Sequence, residues 1–116
     1  MEWQVKKTTR KVHVAVEFHV PAGADFAAEE ALVVDALFVR EGQAIGASDV
    51  GSFSDETKRL VVLTAFGEGQ NVDQAAAAAV THITTTVESS STIEWQWRAT
   101  HVESAEAQVE DRLLSA

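Results

Sequence analysis

The sequence predicts an α+β domain: a four-stranded antiparallel sheet with two helices packed on one of its faces. Three observations carry that prediction. Apolar residues alternate with polar ones over Val12–Val20, the two-residue period of a strand with one face buried. Two segments, 25–41 and 71–88, repeat their apolar residues at helical spacing. The periods come in the order strand, helix, strand, strand, helix, strand. Two right-handed βαβ crossovers turn that order into one sheet with both helices on the same side.

Each element has its own justification. In the first strand Val12, Val14, Val16, Phe18 and Val20 alternate with His13, Ala15, Glu17 and His19, and Pro21-Ala22-Gly23 ends it. Asp25 can cap a helix that runs to about Glu41, with Gly42 as the residue that stops it. Its apolar stripe is read as Ala27, Ala31, Val34 and Phe38. Phe26, Val33 and Leu37 form a second apolar row, and Leu32, Ala36 and Val39 fill between, so the helix needs cover on two sides or is partly strand. Residues 43–54, with Gly46, Gly51 and several serines, read as an edge strand, and Asp55-Glu56-Thr57 as a turn. Arg59–Phe66 is a buried strand, apolar on both faces through Leu60-Val61-Val62-Leu63. After the loop Gly67–Gln70, Asn71 and Gln74 stand at capping-box spacing, and a helix follows to about Glu88. Its stripe is Val72, Ala76, Ala79, Val80, Ile83 and Val87, and its outer face carries Gln74, Thr81, His82, Thr85 and Glu88. The last strand is Thr92–His101, with Ile93, Trp95, Trp97 and Ala99 on one side and Glu94, Gln96, Arg98 and Thr100 on the other. Ser104–Leu114 reads as a short C-terminal helix with Ala105, Val109 and Leu113 on one side.

This order resembles the ferredoxin-like βαββαβ sandwich over residues 12–101. The resemblance is one of architecture, with no family motif behind it. The same architecture serves enzymes, nucleic-acid binders, sensors and assembly modules.

No linker or block of like charge divides the 116 residues, so a single domain is expected: a core at 12–101, a basic leader at 1–11 and a tail at 103–116. A hydrophobic fraction of 46% argues against a disordered chain, and no apolar run approaches the ~18 residues that span a membrane. The absence of cysteine excludes disulfides and thiolate metal sites. Acids outnumber bases 18 to 9, which opposes general attraction to nucleic acid or anionic lipid. The leader runs the other way, with Lys6, Lys7, Arg10 and Lys11 against Glu2 alone. It is read as the charged approach to a strand, with lysines guarding an edge. The bases before Val12 imitate a signal peptide, but His13, Glu17 and His19 interrupt its apolar region, so a cytoplasmic chain is expected.

Candidate sites follow from the sheet face that the helices leave open. His13, Glu17 and His19 share that face of the first strand, and Arg98 of the last strand can lie beside them. Glu17 and His19 stand roughly 6.6 Å apart along the strand, close enough to share a cation or a ligand. The plainer alternative is a cross-strand pair of Glu17 with Arg98. No HxH or HExxH spacing occurs, so neither a metal nor a cofactor is expected. Gly67-Glu68-Gly69 fits a turn better than an anion cradle, because two glycines match no phosphate fingerprint and Glu68 repels phosphate. Trp3, Trp95 and Trp97 could stack on bases, but the RNA-binding sequence patterns are missing.

The expected function is therefore a small non-enzymatic binding or assembly module that acts as a homodimer or larger oligomer. Phe26, Val33, Leu37, Trp95 and Trp97 are the expected interface residues, since one core cannot absorb all of this apolar surface. The tail helix, folded back, is the competing cover. The first alternative is a small enzyme or ligand-binding protein of the dimeric α+β barrel type, with a pocket at the open sheet face holding His13, Glu17 or His19. The second is weak nucleic-acid binding through the leader. The partner is expected to be a second copy of the chain, with a further protein or small-molecule ligand open.

Overall fold

The structure, a computed structural model, describes residues 9–41 and 46–105. The elements are β1 (Arg10–His19), α1 (Phe26–Val39), β2 (Ala47–Asp55), β3 (Leu60–Gly69), α2 (Val72–Ser90) and β4 (Gln96–Ala105). The strands form one antiparallel sheet in the order β2-β3-β1-β4. No helix of the described residues is long and apolar enough to cross a membrane. Lys6, Lys7, Trp3, the helix stop at Gly42 and most of the expected C-terminal helix lie outside the described residues. Ser104 and Ala105, expected to open that helix, are the end of β4.

The alternation in β1 does what its period requires. Val12, Val14, Val16, Phe18 and Val20 are buried on the helix side of the sheet, and His13, Ala15, Glu17 and His19 are half-buried on the other. In β3, Val61, Leu63 and Ala65 join the buried side. Asp25 caps α1 by accepting from the Ala28 N–H at 3.2 Å. Asn71 caps α2 by accepting from the Gln74 N–H at 2.8 Å, while Gln74 Oε1 accepts from the Gln70 N–H at 2.6 Å. Both caps satisfy N–H groups that the first helical turn leaves without partners.

The face on which α1 packs differs from the expectation. Phe26, Glu29, Val33 and Leu37 are its buried row, whereas Ala27, Ala31 and Phe38 are exposed and Val34 is half-buried. Phe26, Val33 and Leu37 therefore belong to the core and not to a surface left for a partner. The physical reason is Glu29. A carboxylate in the middle of the core row made the Ala27–Phe38 row look the more apolar, yet this carboxylate has partners. It accepts from the Thr92 N–H at 3.1 Å, from the Thr92 hydroxyl and from the Trp95 indole N–H at 3.1 Å. At 4% exposure, burial pushes its pKa up. The hydrogen bonds from Thr92, Trp95 and the backbone of residues 92 and 93 outweigh that and hold it below the usual 4.5. Glu29 thus ties α1 to the segment entering β4 and fixes the buried Trp95.

Three more departures have local causes. Gly67 and Gly69, expected in a loop, are in β3, and α2 crosses directly above them. A Cβ at Gly67 would stand 1.9 Å from the Ala75 carbonyl oxygen, so only glycine admits the helix at this distance. His82, expected on the outer face of α2, is buried, while Val72 is exposed. Burial pushes the His82 pKa below 6.5; the Arg40 charge does the same and Glu41 opposes it. Arg59, in the tight turn before β3 with φ +54°, donates to the carbonyls of Val20 (2.9 Å), Pro21 (2.6 Å) and Ala24 (2.6 Å), locking the β1–α1 loop.

Candidate functional site: the open sheet face

The face of the sheet away from the helices brings together residues from all four strands. In the ladder, His13 stands between Phe66 and Glu103, Ala15 between Thr64 and His101, Glu17 between Val62 and Ala99, and His19 between Leu60 and Gln96. Directly paired residues project to the same side, so β1 and β4 supply a polar half. In β2, Phe53 opposes Val62 and supplies, with Leu60, Val62 and Phe66, an apolar half.

β4 carries an irregularity that decides its contribution. Phe18 pairs with Trp97 and Glu17 with Ala99, so Arg98 is an extra residue in a bulge. The side-chain alternation shifts by one at that point. Ala99 leaves the side of Trp95 and Trp97, and His101 and Glu103 follow it onto the open face. Arg98 nonetheless reaches Glu17.

Glu17 is the centre of the polar half. His101 Nε2 lies 3.0 Å from one carboxylate oxygen and Arg98 Nε 3.7 Å from the other. A second, looser pair sets His13 Nδ1 4.0 Å from Glu103 Oε1. The His13 ring lies 4.9 Å from the Phe66 ring, and Lys11 Nζ stands 5.2 Å from that ring on the same face. Of the residues expected to form a site, Glu17 and Arg98 meet. His13 is two pleat repeats away along β1, about 13 Å. His19 lies at the far end of the strand, where no side-chain contact joins it to Glu17. Among the described residues no group of three or more histidine, aspartate or glutamate side chains converges as a metal centre would require.

His101, Glu103 and Phe66 were missed by sequence reasoning. Regular alternation through Thr92–His101 assigns His101 to the side of the tryptophans, and only the bulge reverses that. The visible signal was slight: the 99–103 run Ala-Thr-His-Val-Glu changes phase relative to Ile93-Glu94-Trp95-Gln96-Trp97. The interface expectation also divides here. Trp95 is buried in the core, while Trp97 remains 53% exposed on the helix side.

The arrangement can form salt-dependent, protonation-dependent cross-strand pairs and can bury an apolar strip. Two cavities of about 410 Å³ lie on the helix side, and neither is lined by His13, Glu17 or His19. Comparison of the chain with protein-family models, with curated proteins and with solved structures finds no match.

Proposed function

We propose that the chain is a non-enzymatic, cytoplasmic binding module of ferredoxin-like architecture that works as a homodimer through its open sheet face. The architecture is supported by the strand order β2-β3-β1-β4, which makes each helix a crossover between two parallel strands with a third strand between them. The cytoplasmic reading is supported by β1: the stretch that imitates a signal peptide is an inner strand of the sheet. The dimer is carried by one observation, the apolar half of the open face, where Phe53 is 64% exposed beside Leu60, Val62 and Phe66.

Area decides between this face and the outer side of α1. Leu32, Phe38 and Val39 on the outer side of α1 are also exposed. Yet a helix of 14 residues offers a stripe about 21 Å long and about 10 Å wide, about 200 Å². Four strands of nine or ten residues make a face of about 600 Å² in projection. A stable interface takes about 800 Å² per partner, so the sheet face comes near it and the helix alone does not. Each large apolar side chain covered contributes about 1.5–3 kcal/mol relative to exposure.

Light scattering across a concentration series tests this. The wild type should give twice the 12.5 kDa chain mass. Phe53→Asp should return it to the chain mass, and Leu32→Asp should leave the dimer intact. Dissociation by Leu32→Asp but not by Phe53→Asp would move the interface to α1. A wild type that stays at the chain mass at about 100 μM, a concentration at which interfaces of this size associate, ends the dimer proposal.

A further inference from the structure

We propose that the cavity beside Trp97 binds a small organic ammonium ion. The cavity, of about 410 Å³, lies between the end of α2 and the start of β4, on the helix side of the sheet. That volume is within the range of small-ligand sites. A dimer formed through the open sheet face leaves it accessible, so the two proposals stand or fall separately.

Its lining sets three aromatic rings, Phe18, Trp95 and Trp97, beside the hydroxyls of Thr84, Ser91 and Thr92. Phe18 is flanked by both tryptophans, each ring centroid 5.9 Å away and each nearly edge-on, at 66° for Trp95 and 67° for Trp97. Trp95 is held by its indole N–H, which donates to the buried Glu29. Trp97 is half exposed, so a ring of this size offers part of its surface to an occupant and not to the core. Indole faces carry negative quadrupole charge and attract cations, above all weakly hydrated ones.

Three sources of negative potential act on the same space. Glu88 and Glu94 line the cavity, and no lysine, arginine or histidine does. The cavity also abuts the C-terminal end of α2, a helix of 19 residues with no basic side chain in its last turn. That end presents the negative pole of the helix dipole. The Arg40 guanidinium donates to Ser89 of that last turn at 2.9 Å but does not line the cavity, so the charged side chains that do line it, Glu88 and Glu94, repel an anion. Among the described residues no three histidine, aspartate or glutamate side chains converge to hold a hard divalent cation, whereas Val87, Ile93 and the aromatic rings give an alkyl group apolar contact. The combination of rings, two carboxylates and a helix C-terminus fits a cation with a greasy surface: an alkylammonium or quaternary ammonium group.

Ligand-observed saturation-transfer NMR tests this with tetramethylammonium chloride and n-butylammonium chloride as probes, each against sodium chloride at equal ionic strength. Saturable transfer to at least one probe is expected. Trp97→Ala should weaken binding roughly tenfold, the scale of one cation–π contact. Glu88→Gln with Glu94→Gln should weaken it several-fold while circular dichroism stays unchanged. Both glutamates are exposed, so the double variant keeps the test valid if Trp97→Ala unfolds. Binding of tetramethylammonium marks recognition by the rings, and binding of n-butylammonium alone marks recognition by the carboxylates; either supports the site. Absence of saturable transfer to both probes overturns the proposal. So does binding that persists unweakened in both variants.

Discussion

Replacing Glu29 should be the most damaging single polar change in the described fold. The carboxylate receives three hydrogen bonds, two from Thr92 and one from the Trp95 indole, from a segment more than sixty residues away in sequence. A hydrogen bond to a charged group contributes about 1.5–3 kcal/mol, and the buried Trp95 indole N–H left without an acceptor adds a penalty of its own, whereas the exposed Thr92 can turn to water. These terms are not additive, so Glu29→Ala should cost about 3–5 kcal/mol and Glu29→Gln, which keeps one oxygen acceptor, about 2 kcal/mol. Because the Glu29 pKa is lowered on folding, the folded state holds this group ionised more readily than the unfolded chain does. Its contribution is complete above its usual value of 4.5 and is lost as the pH falls through and below that value. Urea unfolding at pH 7 and pH 3.5 measures both effects. The wild type should lose more stability than Glu29→Gln between the two pH values. A cost below about 1 kcal/mol for Glu29→Ala at pH 7 would refute the reasoning, because it would mean that the donors find water instead.

Other substitutions read the fold at separate places. Gly67→Ala should destabilise by about 2 kcal/mol or more, since α2 must lift from β3, while Gly23→Ala, with open space around it, should be near neutral; thermal unfolding compares them. Arg59→Ala removes three hydrogen bonds to the β1–α1 loop and should cost about 2–3 kcal/mol by urea titration. His82, with its pKa depressed in the fold, binds a proton more readily in the unfolded chain. Its stability contribution is therefore complete above 6.5 and lost as the pH falls below it, a window above that of Glu29. The wild-type melting temperature should fall between pH 7 and pH 5.5, and His82→Leu should abolish most of that fall. If the two slopes match, His82 does not titrate as its burial requires.

The sequence by itself determined the order of the six elements, the kind of five of them, both N-caps and the two sides of β1, while it left the segment of α1 open between helix and partial strand. These are local matters: a cap is set within four residues, and strand alternation is set by the pleat. It also brought Glu17 and Arg98 to one place, because pairing of the first and last strands follows from the order of elements. Tertiary structure alone decided three things. It chose which apolar row of α1 faces the sheet, since both rows satisfy the helical period and only the distant Thr92 and Trp95 make Glu29 acceptable inside. It set the bulge at Arg98, which moved His101 and Glu103 beside Glu17 and His13 and left Trp97 on the helix side; a one-residue slip exchanges every side chain that follows. It drew α2 down onto Gly67, turning an expected loop into strand and burying His82. For α1 and for the bulge the deciding partners, Thr92 and Trp95 in one case and Glu17 and Phe18 in the other, lie more than sixty residues along the chain; Gly67 and Ala75 are only eight residues apart, and their contact exists only once α2 has packed back onto β3.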